Sequence, residues 1–256
     1  MRTQWSATCG IAAASPKQFR GADTIISTAN SMARVLGGEK SLTIADVDVT
    51  GHADLIAAAE AAGVQRFLFL SFQGAILESA TPFSNAKRAI ETRLTASPIH
   101  EVIVPPDMFQ EVWLTPMVSF NWPKRKFTIF GKGESMHRYV AVDDVASGVV
   151  NWALADDPPR LVEFGGPEGL TRNQAVDLFE QALGARVQRR HIPRPALAAG
   201  ATLCGGSGPT SPLSWVSRYL PTSSHRRPTM PRSGLSASKP LRQATTSVGS
   251  ATLPDP

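Results

Sequence analysis

The sequence predicts an α/β protein built on a parallel sheet. Three observations carry this reading. From Ala22 to about Pro195, short apolar, β-prone runs alternate with longer stretches of helical periodicity, the pattern of successive strand–helix units. Helix stop and start signals fall where the periodicity changes: Gly63, Gly184 and the pair Thr171/Gln174. A hydrophobic content of 42% over 256 residues is enough for a sizeable core.

Taken in order, Asp23–Ala29 reads as a buried strand. Ile44–Ala62 reads as a helix with Val47, Ala53, Ile56 and Ala59 inward and Gly63 as its stop. Arg66–Phe72 is the next strand. Phe83, Ala86, Ile90 and Leu94 then recur at helical spacing, and Glu101–Val104 is a third strand closed by Pro105-Pro106. Tyr139–Val142 is a short extended run delivering Asp143 to the N-cap of a helix that carries Val145, Val149, Val150 and Leu154. Leu161–Phe164 is strand-like. Thr171 with Gln174 forms a capping box opening a helix with Val176, Phe179 and Leu183 inward.

Beyond Cys204 the composition changes. Of those 53 residues, 11 are Ser, 8 Pro, 6 Thr and 5 Gly, too few core formers to repay the entropy of ordering, so 204–256 reads as a low-complexity, disordered tail. Its Gly205-Gly206-Ser207-Gly208 cluster follows no predicted strand and reads as a linker. The net charge of +5 lies in this end of the chain. Met1–Leu197 balances 20 basic against 20 acidic residues, whereas Ala198–Pro256 has 6 basic residues against Asp255. A nucleic-acid reader would carry its basic face on the folded part, so no nucleic-acid partner is expected.

No apolar stretch reaches the roughly 20 residues of a membrane span, and the expectation is a cytoplasmic protein with no membrane partner. Cys9 and Cys204 are read as reduced thiols. The five His, at 52, 100, 137, 191 and 225, are too scattered to propose a metal site.

Several motifs together carry a family likeness: Gly21–Ala29, Val47-Asp48-Val49-Thr50-Gly51, Ala62–Phe67, Pro82–Lys87, Val142–Ala146 and Phe164-Gly165-Gly166-Pro167-Glu168. Over roughly Gly21–Pro195 the chain resembles NmrA-like atypical short-chain dehydrogenases/reductases. The resemblance implies a doubly wound, Rossmann-like parallel sheet of order 3-2-1-4-5-6, holding NAD(P) across the switch point between strands 1 and 4. Asp23–Ala29 matches the fourth strand, so the sheet is expected to be incomplete in its N-terminal half, with a small C-terminal region on the substrate side. The expected organisation is an atypical segment 1–20, a partial Rossmann-like domain 21–203 and the tail 204–256. No glycine-rich turn for the pyrophosphate is found, which implies weakened cofactor binding.

The resemblance also implies site residues. Relatives place a Tyr four residues before a Lys that binds the nicotinamide ribose; here Lys87 keeps the Lys position and Phe83 stands where the Tyr would donate a proton. Thr28 and Ala29 would face the adenine-side ribose, Ser71 and Phe72 the nicotinamide, and Pro106, with Met108 and Phe109, the end of the third strand. The competing reading for Lys87 is a pair with Glu91 on a solvated face; for the strand-end residues it is ordinary packing. Asp143 and Asp144 read as an N-cap and a first-turn dipole partner. Trp122–Lys126 reads as a solvated loop, and Trp113, Met117 and Trp122 as the lining of an apolar substrate pocket or as core.

Three functions stay open: an NAD(P)-dependent oxidoreductase, a dinucleotide-sensing or partner-binding module without turnover, and a truncated or frame-altered remnant. With no first strand, Asp23–Ala29 would form a flat, apolar edge, and self-association is expected.

Overall fold

The computed structural model describes residues 14–32, 41, 43–73 and 81–193. The tail, the Gly205–Gly208 cluster, Cys9, Cys204, His225 and most of the 1–20 segment lie outside them.

Strands β1 (Thr24–Ser27), β2 (Arg66–Leu70) and β3 (His100–Val104) form a parallel sheet in that order, the arrangement expected of strands four to six. Ile25 pairs with Phe67, Ser27 with Phe69 and Leu70 with Val104, which places the carboxyl ends of all three along one edge. The strands are shorter than their apolar runs. Thr28–Ala29 and Ser71–Phe72 continue past the ladder into that edge. Leu161–Phe164 is reduced to isolated parallel bridges, Ile103 to Leu161 and Pro106 to Phe164.

One face is covered by a π-helical stretch, Ala45–Gly51, running into α1 (His52–Ala62), and by α2 (Pro82–Thr95). Ile56, Ala59, Phe67, Phe69, Ile90 and Leu94 form its core. Gly63, at φ +75°, ends α1 in a left-handed conformation that costs glycine nothing. Thr81 caps α2 by accepting from Ser84 N at 3.1 Å, and Phe83, Ala86, Ile90 and Leu94 are buried as their spacing predicts. Val47, Ile56 and Ala59 are buried too, while Ala53 is half-buried.

The other face is covered by a second helix pairing. The short α3 (Gln110–Trp113) precedes α4 (Val142–Leu154), whose Val145 and Val149 pack on Leu68, Val102 and Val104. Asp143 is not the N-cap. Ala141 holds that position, and Glu111 accepts the Val142 N–H at 3.1 Å, so Asp143 and Asp144 stand exposed in the first turn. Val150 and Leu154, expected on the apolar stripe, are 50% and 57% exposed because the stripe is wider than the sheet beneath it. The other end of α4 is held by Arg66, whose guanidinium donates to the carbonyls of Ala153 (2.9 Å) and Ala155 (2.7 Å), two of the groups a helix end leaves unpaired.

A smaller unit follows. Strands β4 (Phe120–Asn121), β5 (Lys126–Phe130) and β8 (Gln188–Ile192) form a three-stranded sheet, and β6 (Met136–His137) pairs with β7 (Leu170–Thr171). Helix α5 (Arg172–Leu183) opens with the Thr171/Gln174 capping box and packs Val176 against Phe120, Phe127 and Ile129. Phe179 is half-buried and Leu183, at the last turn, is exposed rather than inward. Trp113 packs beside this core, whereas Met117 and Trp122 are exposed. Among the described residues no helix is long and apolar enough to cross a membrane.

Candidate functional site

The edge formed by the carboxyl ends of β1, β2 and β3 is where an open parallel sheet offers a crevice to ligands. All the residues expected to meet a dinucleotide lie in the segments leaving that edge or in α2 above it. Thr28 is exposed and Ala29 and Phe72 are half-buried, so these three present surface to a ligand. Ser71 and Pro106 are buried.

Lys87 does not sit on a solvated face. Its side chain is 2% exposed, and its ammonium lies 3.5 Å from a carboxylate oxygen of Asp48, which is itself fully buried. Leu70 offers its carbonyl at 3.4 Å, and the rings of Phe69 and Phe83 flank the ammonium at 4.7 and 5.3 Å. The Phe83 ring thus supplies a π-face to the cation, not a proton. Burial holds the Lys87 pKa below the ordinary lysine range, against the opposing pull of Asp48. Glu91 is not its main partner: that carboxyl accepts the Ser71 hydroxyl, and burial pushes its pKa up.

Asp48 ties three segments together. Its second oxygen accepts from Ser31 N at 3.0 Å and Ser31 Oγ at 2.5 Å, which pins the loop that carries Thr28 and Ala29. One turn on, His52 is fully buried beside it. Its Nδ1 lies 2.8 Å from the Val47 carbonyl, which can only accept, so Nδ1 carries the proton and Nε2 accepts from Ser27 Oγ at 3.0 Å. Burial, reinforced by the charge of Lys87, lowers the His52 pKa from 6.5 to about 4.

Beyond Pro106, Asp107 performs a similar tie. It accepts from Met108 N (2.8 Å) and Arg138 N (2.7 Å), and His137 Nδ1 stands 3.5 Å away. Burial would raise its pKa, but these hydrogen bonds outweigh it and hold the carboxyl below its ordinary value. The end of β3 is thereby fixed to β6. Met108 is buried in the core beside Phe120 and Phe127, and the half-buried Phe109 packs against the core that α4 covers.

Asp48, a member of one family-like motif, His52, Ser31 and Asp107 are not among the site residues the sequence proposes. One signal was present: Asp48, His52, Leu55 and Ala59 recur at helical spacing, so two polar residues occupy the inward stripe.

Within 28–32, 71–73 and 105–109, the described parts of the segments leaving the strands, no glycine allows backbone N–H groups to close around a diphosphate. A groove of about 380 Å³ between α4 and Phe164–Pro167 is lined by none of the strand-end residues named above. There Gly166 lets the chain cross against the Tyr139 carbonyl, where a side chain would collide.

A family profile described as NAD(P)H-binding matches residues 12–157. A search of curated proteins finds no match. Among solved structures, similar ones include MoeE5 in complex with UDP-glucuronic acid and NAD, at 14% identity and TM-score 0.58, over 70% of this chain and 68% of that one. Another is the dTDP-glucose 4,6-dehydratase DesIV from Streptomyces venezuelae with NAD and TYD bound (19%, 0.55, 70% and 63%). A third is a UDP-glucuronic acid 4-epimerase variant from Bacillus cereus with a fluorinated UDP-sugar and NAD (15%, 0.59, 70% and 65%). The chain thus spans about two thirds of the length of these structures, and at such identities the likeness is one of fold. With more than half of its length matched by that profile, the chain belongs to the NAD(P)H-binding family, on a Rossmann-like parallel sheet.

Proposed function

We propose that this protein is an NmrA-like dinucleotide-binding module that does not turn substrate over and holds NAD(P) weakly. The observation that carries the reading is Lys87: its ammonium is committed to Asp48 within the protein, and Phe83 provides no acidic hydrogen beside it. A bound dinucleotide would supply hydride chemistry, but that chemistry needs a proton donor and an oriented ribose. General acid catalysis alone is typically worth about 10²–10⁴-fold.

In this reading Thr28, Ala29 and Phe72 contact the nucleoside parts, Ser71 and Pro106 shape the floor, and Asp48 keeps the β1 loop in place through Ser31. Among the described residues, the segments leaving the strands offer the pyrophosphate no glycine-lined cradle of N–H donors. Each charge-assisted hydrogen bond forgone costs roughly 1.5–3 kcal/mol, so affinity falls by two or more orders of magnitude. A sensing role over a catalytic one is favoured by the same residue, Phe83.

Calorimetric titration of the purified chain with NADPH tests this. The expected dissociation constant lies in the roughly high-micromolar to millimolar range, with no NADPH oxidation in the presence of carbonyl substrates. A low-micromolar constant, or steady turnover, would sink the proposal.

A further inference from the structure

Charge is unevenly spread over the smaller unit. From Val112 to Gly133 the chain carries four cations and no acid, and from Gln181 to Pro193 three more cations and no acid. The parallel register of β5 with β8 sets these two stretches side by side, Lys126 beside Gln188 and Thr128 beside Arg190.

Strand alternation sorts the cations by face. Phe127 and Ile129 point into the core beneath α5, and Arg189, in register with Phe127, reaches Asp177 (2.6 Å) and Glu180 (2.7 Å) of that helix. Lys126 and Arg190 therefore face away from α5. Among the described residues neither they nor Lys124 and Arg125 have an ion-pair partner. The rest of the chain holds little to neutralise them. Outside the described residues the acids are Glu39, Glu78 and Asp255, and Ala198–Pro256 brings six more basic residues.

Lys124 and Arg125 lie in the turn between β4 and β5, whose shape the backbone fixes. Arg125 N donates to the Trp122 carbonyl at 3.0 Å, Lys124 N to Asn121 Oδ1 at 3.1 Å, and the Arg125 carbonyl accepts from Gln188 N at 2.8 Å. Trp122 opens this turn, 48% exposed, and it is the one exposed aromatic ring among the described residues. That ring therefore stands in the run of unpaired cations.

We propose that the turn Trp122–Lys126, with Arg190 on the neighbouring strand, docks the protein peripherally on an anionic lipid surface. Charge complementarity selects an anionic partner. The single ring selects lipid over nucleic acid. An indole settles alone at the boundary between headgroups and hydrocarbon, whereas a nucleic-acid strand is held by successive stacking platforms. The expectation of no membrane partner rests on the absence of a spanning stretch, and a peripheral contact requires none.

The whole chain is expected to co-sediment at ~0.1 M salt with phosphatidylcholine vesicles containing about a quarter phosphatidylserine, and not with phosphatidylcholine alone. Each cation near such a surface strengthens partitioning roughly fivefold. Lys124→Gln/Lys126→Gln should accordingly bind about twentyfold less tightly, with unchanged circular dichroism. Lys17→Gln/Arg20→Gln removes the same charge from exposed positions at the turn beside α1 and should lose less than about threefold. Brominated phosphatidylcholine in the vesicles should quench the parent's tryptophan emission and lose part of that effect in Trp122→Phe. Binding that is absent, or equal on neutral vesicles, would overturn the proposal, as would equal losses in the two double variants or quenching unchanged by Trp122→Phe. Retention of a labelled single-stranded RNA at a salt concentration that releases the vesicles would also overturn it, by assigning the turn to nucleic acid.

Discussion

Replacing Lys87 by methionine separates a lysine that holds the protein together from one kept for a ligand. The side chain is 2% exposed and its ammonium is 3.5 Å from a fully buried carboxylate. At that separation the Coulomb attraction is about 5 kcal/mol for an effective dielectric constant of about 20. Methionine fills most of the volume but leaves Asp48 with only the two Ser31 hydrogen bonds, so the expected loss is the roughly 3–5 kcal/mol typical of breaking one side of a buried pair. Asp48→Asn alone should cost a similar amount by stranding the ammonium. The double variant Lys87→Met/Asp48→Asn buries no charge and should recover much of the loss, giving a coupling energy well above about 1 kcal/mol in a double-mutant cycle. Urea unfolding at neutral pH reads these values, and NADPH titration of Lys87→Met should give the affinity of the parent chain. If Lys87→Met instead left stability within about 0.5 kcal/mol and abolished NADPH binding, Lys87 would belong to the ligand and the reasoning would fail.

Two further outcomes are expected. His52 is held at about 4 in the folded chain against 6.5 ordinarily, so the unfolded chain binds the extra proton first; its contribution is complete above pH 6.5 and is lost on acidification to about pH 4. The loss runs at up to 1.4 kcal/mol per pH unit, roughly 3 kcal/mol in all, and should shrink in His52→Gln; unfolding series at pH 7 and pH 5 that show the same difference in both proteins would refute it. Phe83→Tyr alone should produce no NADPH oxidation, since the new hydroxyl would lie beside a lysine engaged with Asp48; measurable turnover by that variant would show that the missing hydroxyl was the sole obstacle.

The elements with one buried and one exposed face were legible in the sequence. Phe83, Ala86, Ile90 and Leu94 announce α2 because 3.6-residue periodicity is what a half-covered helix needs. The strands were also visible as unbroken apolar runs, though their ends were not, since Thr28–Ala29 and Ser71–Phe72 lie past the last paired residues of β1 and β2, and Ile26 of β1 is exposed where a buried strand was expected. The polar interior was hidden. Asp48 and His52 are residue types that usually face water, and only the convergence of α1, α2 and the β1 loop gives them partners. Lys87 shows the same limit: local spacing offers Glu91, four residues on, whereas tertiary packing supplies Asp48, thirty-nine residues back in sequence. The N-cap of α4 failed for a related reason. Glu111, from a different segment, reaches Val142 N and makes a capping side chain at Asp143 unnecessary.

The most direct test of the account is where NADPH touches the protein. Amide and lysine side-chain resonances of the labelled chain, followed through an NADPH titration, should shift at Thr28, Ala29 and Phe72, at the carboxyl edge of β1 and β2, while the Lys87 ammonium signal stays in place. Shifts confined to the groove between α4 and Phe164, or a large displacement of the Lys87 signal, would contradict it.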